Sequence, residues 1–149
     1  DTDEDGIPDA FETGTGTYVS PYDTGTRPFA ADSDADGLPD GDEINFYSTN
    51  PNNADTDNDG LSDGEEVDVL GTNPKLPDTD GDTISDGDEI LGTFGYVTDP
   101  LKPDTDGDTY DDRVEIDAGT NPLDPNSHPN QLAALRVPSF RETPTRTGH

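Results

Sequence analysis

The sequence predicts a small, mostly irregular protein: an elongated tandem array of acidic loops, each leading into one or two helical turns, without a large core. Three observations predict this. A twelve-residue acidic pattern, D-x-D-x-D-x-x-x-D-x-x-E, is written five times in 149 residues. Only 26% of the residues are hydrophobic, and Trp, Met and Cys are absent. A Thr-Asx-Pro spacer recurs between the loops, close enough behind each Glu that its proline stops any long helix.

The first loop, residues 1–12, offers Asp1, Asp3, Asp5, Asp9 and Glu12, with the carbonyl of Ile7 at position 7. The second, 32–43, offers Asp32, Asp34, Asp36, Leu38, Asp40 and Glu43 in the same places. The third, 55–66, has Asp55, Asp57, Asp59, Leu61, Asp63 and Glu66. The fourth, 78–89, has Asp78, Asp80, Asp82, Ile84, Asp86 and Glu89, and the fifth, 104–115, has Asp104, Asp106, Asp108, Tyr110, Asp112 and Glu115. Side chains at 1, 3, 5 and 9, a carbonyl at 7 and a two-oxygen Glu at 12 are the ligand spacing of an EF-hand-type calcium loop, which wraps the ion in a pentagonal bipyramid. With 36 acids in 149 residues, five prescribed acidic positions coincide in about one register in a thousand, so composition does not explain five copies. About five Ca2+ ions are expected. Gly6, Gly37 and Gly60 fit the sharp turn at position 6, whereas Thr83 and Thr109 occupy that place in the last two loops and should strain or shift them.

The loops begin at 1, 32, 55, 78 and 104, a period near 23 that marks a repeat array over residues 1–125. The spacers are Thr49-Asn50-Pro51, Thr72-Asn73-Pro74, Thr98-Asp99-Pro100 and Thr120-Asn121-Pro122. The Asx-Pro pair reads as a turn initiator, with the alternative that its side-chain oxygen also reaches a neighbouring ion. Position 8 is Pro8, Pro39, Ser62, Ser85 or Asp111, where a paired helix–loop–helix hand would carry an apolar bridging residue, so pairing of that kind is not expected. Apolar side chains fall instead at position 7 and just after the Glu (Ile44, Val67, Ile90, Ile116), enough for one small cluster per repeat. Two longer linkers, residues 17–21 and 95–100, either pair as short strands or stand as plain connections. Residues 126–149 form a non-repeat basic tail with Arg136, Arg141 and Arg146, in which His128 reads as a solvated residue.

A formal charge of −29 is too much self-repulsion for a compact cation-free state, and five calcium ions would neutralise about a third of it. At ten times the dissociation constant each site adds about 1.4 kcal/mol, so roughly 7 kcal/mol for five, comparable to the whole stability of a domain. Loops of this charge fit the weak affinity class that fills outside cells, which predicts an extracellular or cell-surface protein. Thr-rich stretches could carry O-linked sugars. No apolar run spans a bilayer, no signal peptide is present, as in a mature form or an excised segment, and the acidity excludes nucleic acid as a partner.

The unit from Asp55 to Glu66, the Gly71-Thr72-Asn73-Pro74 spacer and the Asp78-Thr79-Asp80-Gly81-Asp82 that follows resemble the cysteine-free bacterial version of thrombospondin type 3 repeats. The resemblance covers about residues 1–125 and implies a structural calcium-binding stalk, spacer or filament subunit, with the five acidic sets as ligands. Thr83 and Thr109 depart from the pattern, and the tail matches nothing in it. A dockerin-like protein-binding module is the alternative, disfavoured because Pro51 and Pro74 cut the helices short; a sensor would need a Met-rich groove. No enzyme is expected, since no nucleophile–base set stands out and calcium-bound carboxylates cannot act as acids near neutrality. Loops three, four and five each follow a Thr-Asx-Pro spacer, Asp1 has none before it, and Thr120-Asn121-Pro122 has no loop behind it. That asymmetry predicts head-to-tail self-association into fibres.

Overall fold

The computed structural model describes residues 1–130, and the tail readings at Arg136, Arg141 and Arg146 lie outside them. The last four acidic loops are each closed by their own backbone. Asp55 accepts the N–H groups of Asn58 at 2.6 Å and Gly60 at 3.1 Å on its two oxygens, and Asp32, Asp78 and Asp104 do the same in their loops. The residue just ahead of the loop accepts the N–H of position 9, as Ala54 does from Asp63 at 3.0 Å. Carboxylates thus supply the acceptors that a helix or sheet would otherwise provide, which gives an apolar-poor stretch a defined path.

The chain leaves the last four loops through short helices. α1 (Asp40–Asp42) and α2 (Asp63–Glu65) widen into single π turns at Glu43–Tyr47 and Glu66–Leu70, while α3 spans Asp86–Leu91 and α4 spans Asp112–Ala118. All four start at position 9 because position 8 is extended and serves as the N-cap. The Ser62 and Ser85 hydroxyls accept the N–H groups of Glu65 and Asp88, and Glu65 completes a capping box. Left-handed residues at Ser48, Gly71, Gly92 and Gly119 end them within two turns. Position 8 is therefore a helix cap and not a strand contact.

The spacers are turns. Asn50, Asn73, Asp99 and Asn121 each accept the N–H two residues on, at 3.2 to 3.4 Å, as an Asx turn does. Their own N–H groups donate to the position-2 hydroxyl of the following loop: Asn50 to Thr56, Asn73 to Thr79 and Asp99 to Thr105. Arg27 donates to Ser33 in the same way, so Thr26-Arg27-Pro28 is the spacer of the second loop under a different middle residue. Linkers 17–21 and 95–100 form no strand among the described residues; the first makes one isolated antiparallel bridge, Ser20 with Asp23.

Among the described residues apolar burial is limited to position 7, where Ile7, Leu38, Leu61 and Ile84 are buried, and to the spacer prolines Pro51, Pro74, Pro100 and Pro122. Ile44, Val67, Ile90 and Ile116 are only half-buried. Carboxylates fill much of the rest, with Asp40, Glu43, Asp63, Glu66, Asp86, Asp112 and Glu115 each 0% exposed, beside the buried threonines of the spacers. An array with few short helices and no large core is what the sequence predicts; a set of independent EF-hand-like loops is not what the interior shows, because the loops interlock.

Candidate metal centres

Within a loop, positions 1, 3 and 5 converge. Asp1, Asp3 and Asp5 bring ligand oxygens within 4.8 Å of one another, as do Asp32, Asp34 and Asp36, and Asp55, Asp57 and Asp59. The convergence is built by stepwise turns: the N–H of Asp59 donates to Asp57 at 3.3 Å, and that of Leu61 to Asp59 at 2.8 Å. Ile7, Leu38, Ile84 and Tyr110 donate likewise to the position-5 Asp of their loops. What those turns leave over is aimed inward. Asp34 has both side-chain oxygens buried without a donor, and Asp57, Asp80 and Asp106 each have one.

Two positions in every loop take left-handed backbone, 4 and 6. Gly6, Gly37 and Gly60 serve position 6 with φ of 95, 108 and 102°, while Glu4, Ala35 and Asn58 sit at position 4 with φ near 67°. In the last two loops the glycine has moved to position 4, at Gly81 and Gly107, and Thr83 and Thr109 take φ of 81 and 85°. The loop path is kept and the strain falls on a β-branched residue.

Position 9 departs from the single-loop expectation. Asp63 accepts Thr56 N–H at 2.8 Å and Thr56 Oγ1 at 2.6 Å, and the pairs Thr2–Asp9, Ser33–Asp40, Thr79–Asp86 and Thr105–Asp112 repeat this. Held this way, position 9 meets positions 5 and 12 of the preceding loop. Asp5, Glu12 and Asp40 form one such group and Asp36, Glu43 and Asp63 another, each within 4.8 Å. The next residue seals the joint: Gly64 N–H donates to Asp36 Oδ2 at 3.2 Å, Gly87 to Asp59 at 2.8 Å and Arg113 to Asp82 at 3.2 Å. A Cβ on Gly41, Gly64 or Gly87 would lie 1.9 to 2.3 Å from the backbone oxygen of Asp5, Asp36 or Asp59, so position 10 is glycine at these three joints for close approach.

The position-12 glutamates are the electrostatic centre. One oxygen is satisfied by the spacer threonine: Thr49 Oγ1 donates to Glu43, Thr72 to Glu66 and Thr98 to Glu89, at 2.8 to 3.1 Å. The other is buried with no donor in Glu12, Glu43, Glu66 and Glu89. Burial, and then the Asp34 carboxylate, push the Glu43 carboxyl up to about 9; burial and Asp57 push Glu66 up to about 8. Burial, with Asp80 adding to it, pushes Glu89 up to about 8, and burial with a neighbouring Asp pushes Glu12 and Glu115 up to about 7. Anionic groups crowded together with donorless oxygens are the environment a hard cation stabilises.

Of the predicted positions, the structure brings together Asp1, Asp3 and Asp5, then Asp32, Asp34 and Asp36, then Asp55, Asp57 and Asp59, and places Asp40 and Asp63 against the preceding loop; position 7 contributes its N–H in each loop and a buried side chain in the first four. The threonines at position 2 and in the spacer, and the glycine at position 10, are functional residues that spacing from the EF-hand pattern does not single out. Their repetition along the chain is the signal that could have found them. His128 is not a free tail residue: it stacks on Tyr110 with ring centroids 5.9 Å apart.

The bacterial TSP3 repeat matches residues 1–17, 32–54, 55–77 and 104–125, more than half of the chain. Residues 78–103 fall outside the matches, although the fourth loop keeps the same hydrogen bonds. No curated protein and no solved structure matches the chain. The chain belongs to the bacterial TSP3 repeat family and is a repeat protein of calcium-binding type.

Proposed function

We propose that this member of the family is a calcium-stiffened structural segment of an extracellular or cell-surface protein, serving as a stalk, spacer or filament subunit that associates head to tail. It acts by binding and not by catalysis. About five calcium ions are held by the aspartates at positions 1, 3 and 5, the position-7 carbonyl and the position-12 Glu of each loop. The position-9 Asp of the following loop joins them and locks neighbouring repeats together.

The observation that carries this reading is the interior itself: buried carboxylates stand where a domain of this size would bury hydrocarbon. Without a cation such a core repels itself. With one, each ion ties together side chains from two repeats, so binding energy becomes folding and stiffening energy. Small-angle scattering and circular dichroism, with calcium and with a chelator, test it. The expected result is a compact, ordered chain in calcium that expands and loses its helical signal on chelation; a chain unchanged by chelation would sink the reading.

A further inference from the structure

The Thr-Asx-Pro spacer is the recurrent motif that the ligand pattern leaves over, and its first two residues reach both carboxylates that meet across a joint. Between the second and third loops, Thr49 Oγ1 donates to Glu43 Oε1 at 3.1 Å, on the position-12 side. The N–H of the next residue, Asn50, donates to Thr56 Oγ1 at 3.1 Å, and Thr56 Oγ1 donates to Asp63 Oδ2 at 2.6 Å, on the position-9 side. A hydroxyl has one proton to give. With Asn50 N–H on its oxygen, Thr56 turns that proton to Asp63, and its own N–H holds the other Asp63 oxygen at 2.8 Å. The carboxylate is thus fixed from both ends.

The pair of contacts recurs. Thr72 donates to Glu66 while Asn73 N–H meets Thr79, which donates to Asp86; Thr98 donates to Glu89 while Asp99 N–H meets Thr105, which donates to Asp112. At the first joint Thr26 reaches Glu12 at the longer distance of 3.5 Å, and Arg27 N–H meets Ser33, which donates to Asp40. Because a backbone N–H serves in the second place, Asn, Asp and Arg all fill it. What the threonine leaves of each glutamate is one oxygen, and Oε2 of Glu12, Glu43, Glu66 and Glu89 is buried without a donor in residues at most 4% exposed. At the joint so built, Asp36, Glu43 and Asp63 bring oxygens within 4.8 Å of one another.

We propose that the first two residues of each spacer between loops, with the position-2 hydroxyl of the loop that follows, position the carboxylates of the preceding joint and set its calcium affinity. Thr56 then serves the ion of the second loop and not that of the loop whose sequence contains it. This rests on the calcium-binding reading above and names residues that regulate that site without touching the ion. The physical reason is preorganisation: two carboxylates brought together repel, and neutral donors from one short backbone segment hold them in a single arrangement against that repulsion.

A double-mutant cycle on the full chain tests this, read by calcium competition against a chromophoric chelator as the product of the macroscopic binding constants. Thr56→Val keeps the N–H to Asp63 and removes the hydroxyl; it is expected to lower the product about 10- to 100-fold, as loss of an outer-shell partner does. Thr56→Ser should restore it to within about threefold, since Ser33 makes the same bond in the second loop. In a Glu43→Gln background the Thr56→Val change should cost less than about threefold, whereas in a Glu66→Gln background, which alters the position-12 residue of its own loop, it should cost the full factor. A hydroxyl that only supports the fold lowers the product equally in both backgrounds, and that result overturns the proposal, as does coupling to Glu66 in place of Glu43. If Thr56→Val fails to fold in calcium, Thr79→Val set against Glu66→Gln and Glu89→Gln carries the same test at the next joint. A wild-type chain that binds no calcium overturns the calcium-binding reading itself, and the positioning role with it.

Discussion

The joint between the second and third loops and the end of the fifth loop carry the same carboxylates at positions 5 and 12 and differ in what stands opposite them among the described residues. At the first, Glu43 receives Thr49 on one oxygen and lies against Asp63, while Gly64 N–H satisfies Asp36. At the second, no position-9 carboxylate stands against Glu115 among the described residues, and the Thr120 hydroxyl beside it donates to the Glu115 backbone oxygen at 3.1 Å. Burial and the Asp34 carboxylate push Glu43 up to about 9, while burial and Asp108 push Glu115 up to about 7. The lesson is that a carboxylate group of this kind is assembled from two neighbouring loops.

Calcium withdrawal should show the contrast most strongly. In a chelator titration followed by hydrogen exchange, amides of the fifth loop are expected to lose protection first and those of the internal loops together at lower free calcium. A single uniform transition with the fifth loop no weaker would break the comparison.

Lowering pH should separate the two ends next. In the cation-free protein Glu43, Glu66 and Glu89 keep a proton at neutrality, and calcium must displace it, so affinity at those joints falls about tenfold per pH unit below about 8. At Glu115 the fall begins only near pH 7. The cation-free fold behaves oppositely. Its raised glutamates bind more protons than the unfolded chain above the ordinary Glu value of 4.5, so its stability is fully present below that value and is lost as pH rises toward about 8. Calcium titrations in buffers of different ionisation enthalpy measure the released protons; none released at pH 7 would contradict the burial assigned to these groups.

Gly64→Ala should destabilise the calcium-loaded chain by about 1–3 kcal/mol, because the new Cβ meets the Asp36 carbonyl. Ala10→Val, on the exposed counterpart in the first loop, should change monomer stability by less than about 0.5 kcal/mol. Thermal denaturation of both reads the difference, and equal losses would mean that the close approach to Asp36 does not set the cost at Gly64.

Smaller effects follow at the threonines. Thr72→Val removes a hydroxyl donated to Glu66 and is expected to cost about 1 kcal/mol while shifting calcium affinity. Thr83→Gly should stabilise by up to about 1 kcal/mol, more than Asn58→Gly, since a β-branched residue tolerates left-handed backbone less well than Asn. Denaturation midpoints in calcium compare the two, and equal gains would show that the strain at Thr83 is relieved by other means.

By itself the sequence determined the repeat, its registers and the chemistry. Carboxylates at 1, 3, 5, 9 and 12 name a hard-cation loop, prolines limit the helices, and the scarcity of apolar residues rules out a hydrocarbon core, all of which are local or compositional facts. The turn role of Asn50 and Asn73 was legible for the same reason, as an Asx side chain reaches only its own neighbours. Only the tertiary structure decided where Asp40 and Asp63 point. Loop spacing fixes distances along one chain segment, whereas the pairing of position 9 with the previous loop depends on how closely two backbones approach across about a repeat length of sequence. That approach is set by the missing Cβ of Gly41 and Gly64 and by hydroxyls at position 2 that turn the carboxylate outward, small groups whose meaning appears only when the neighbouring loop is in place.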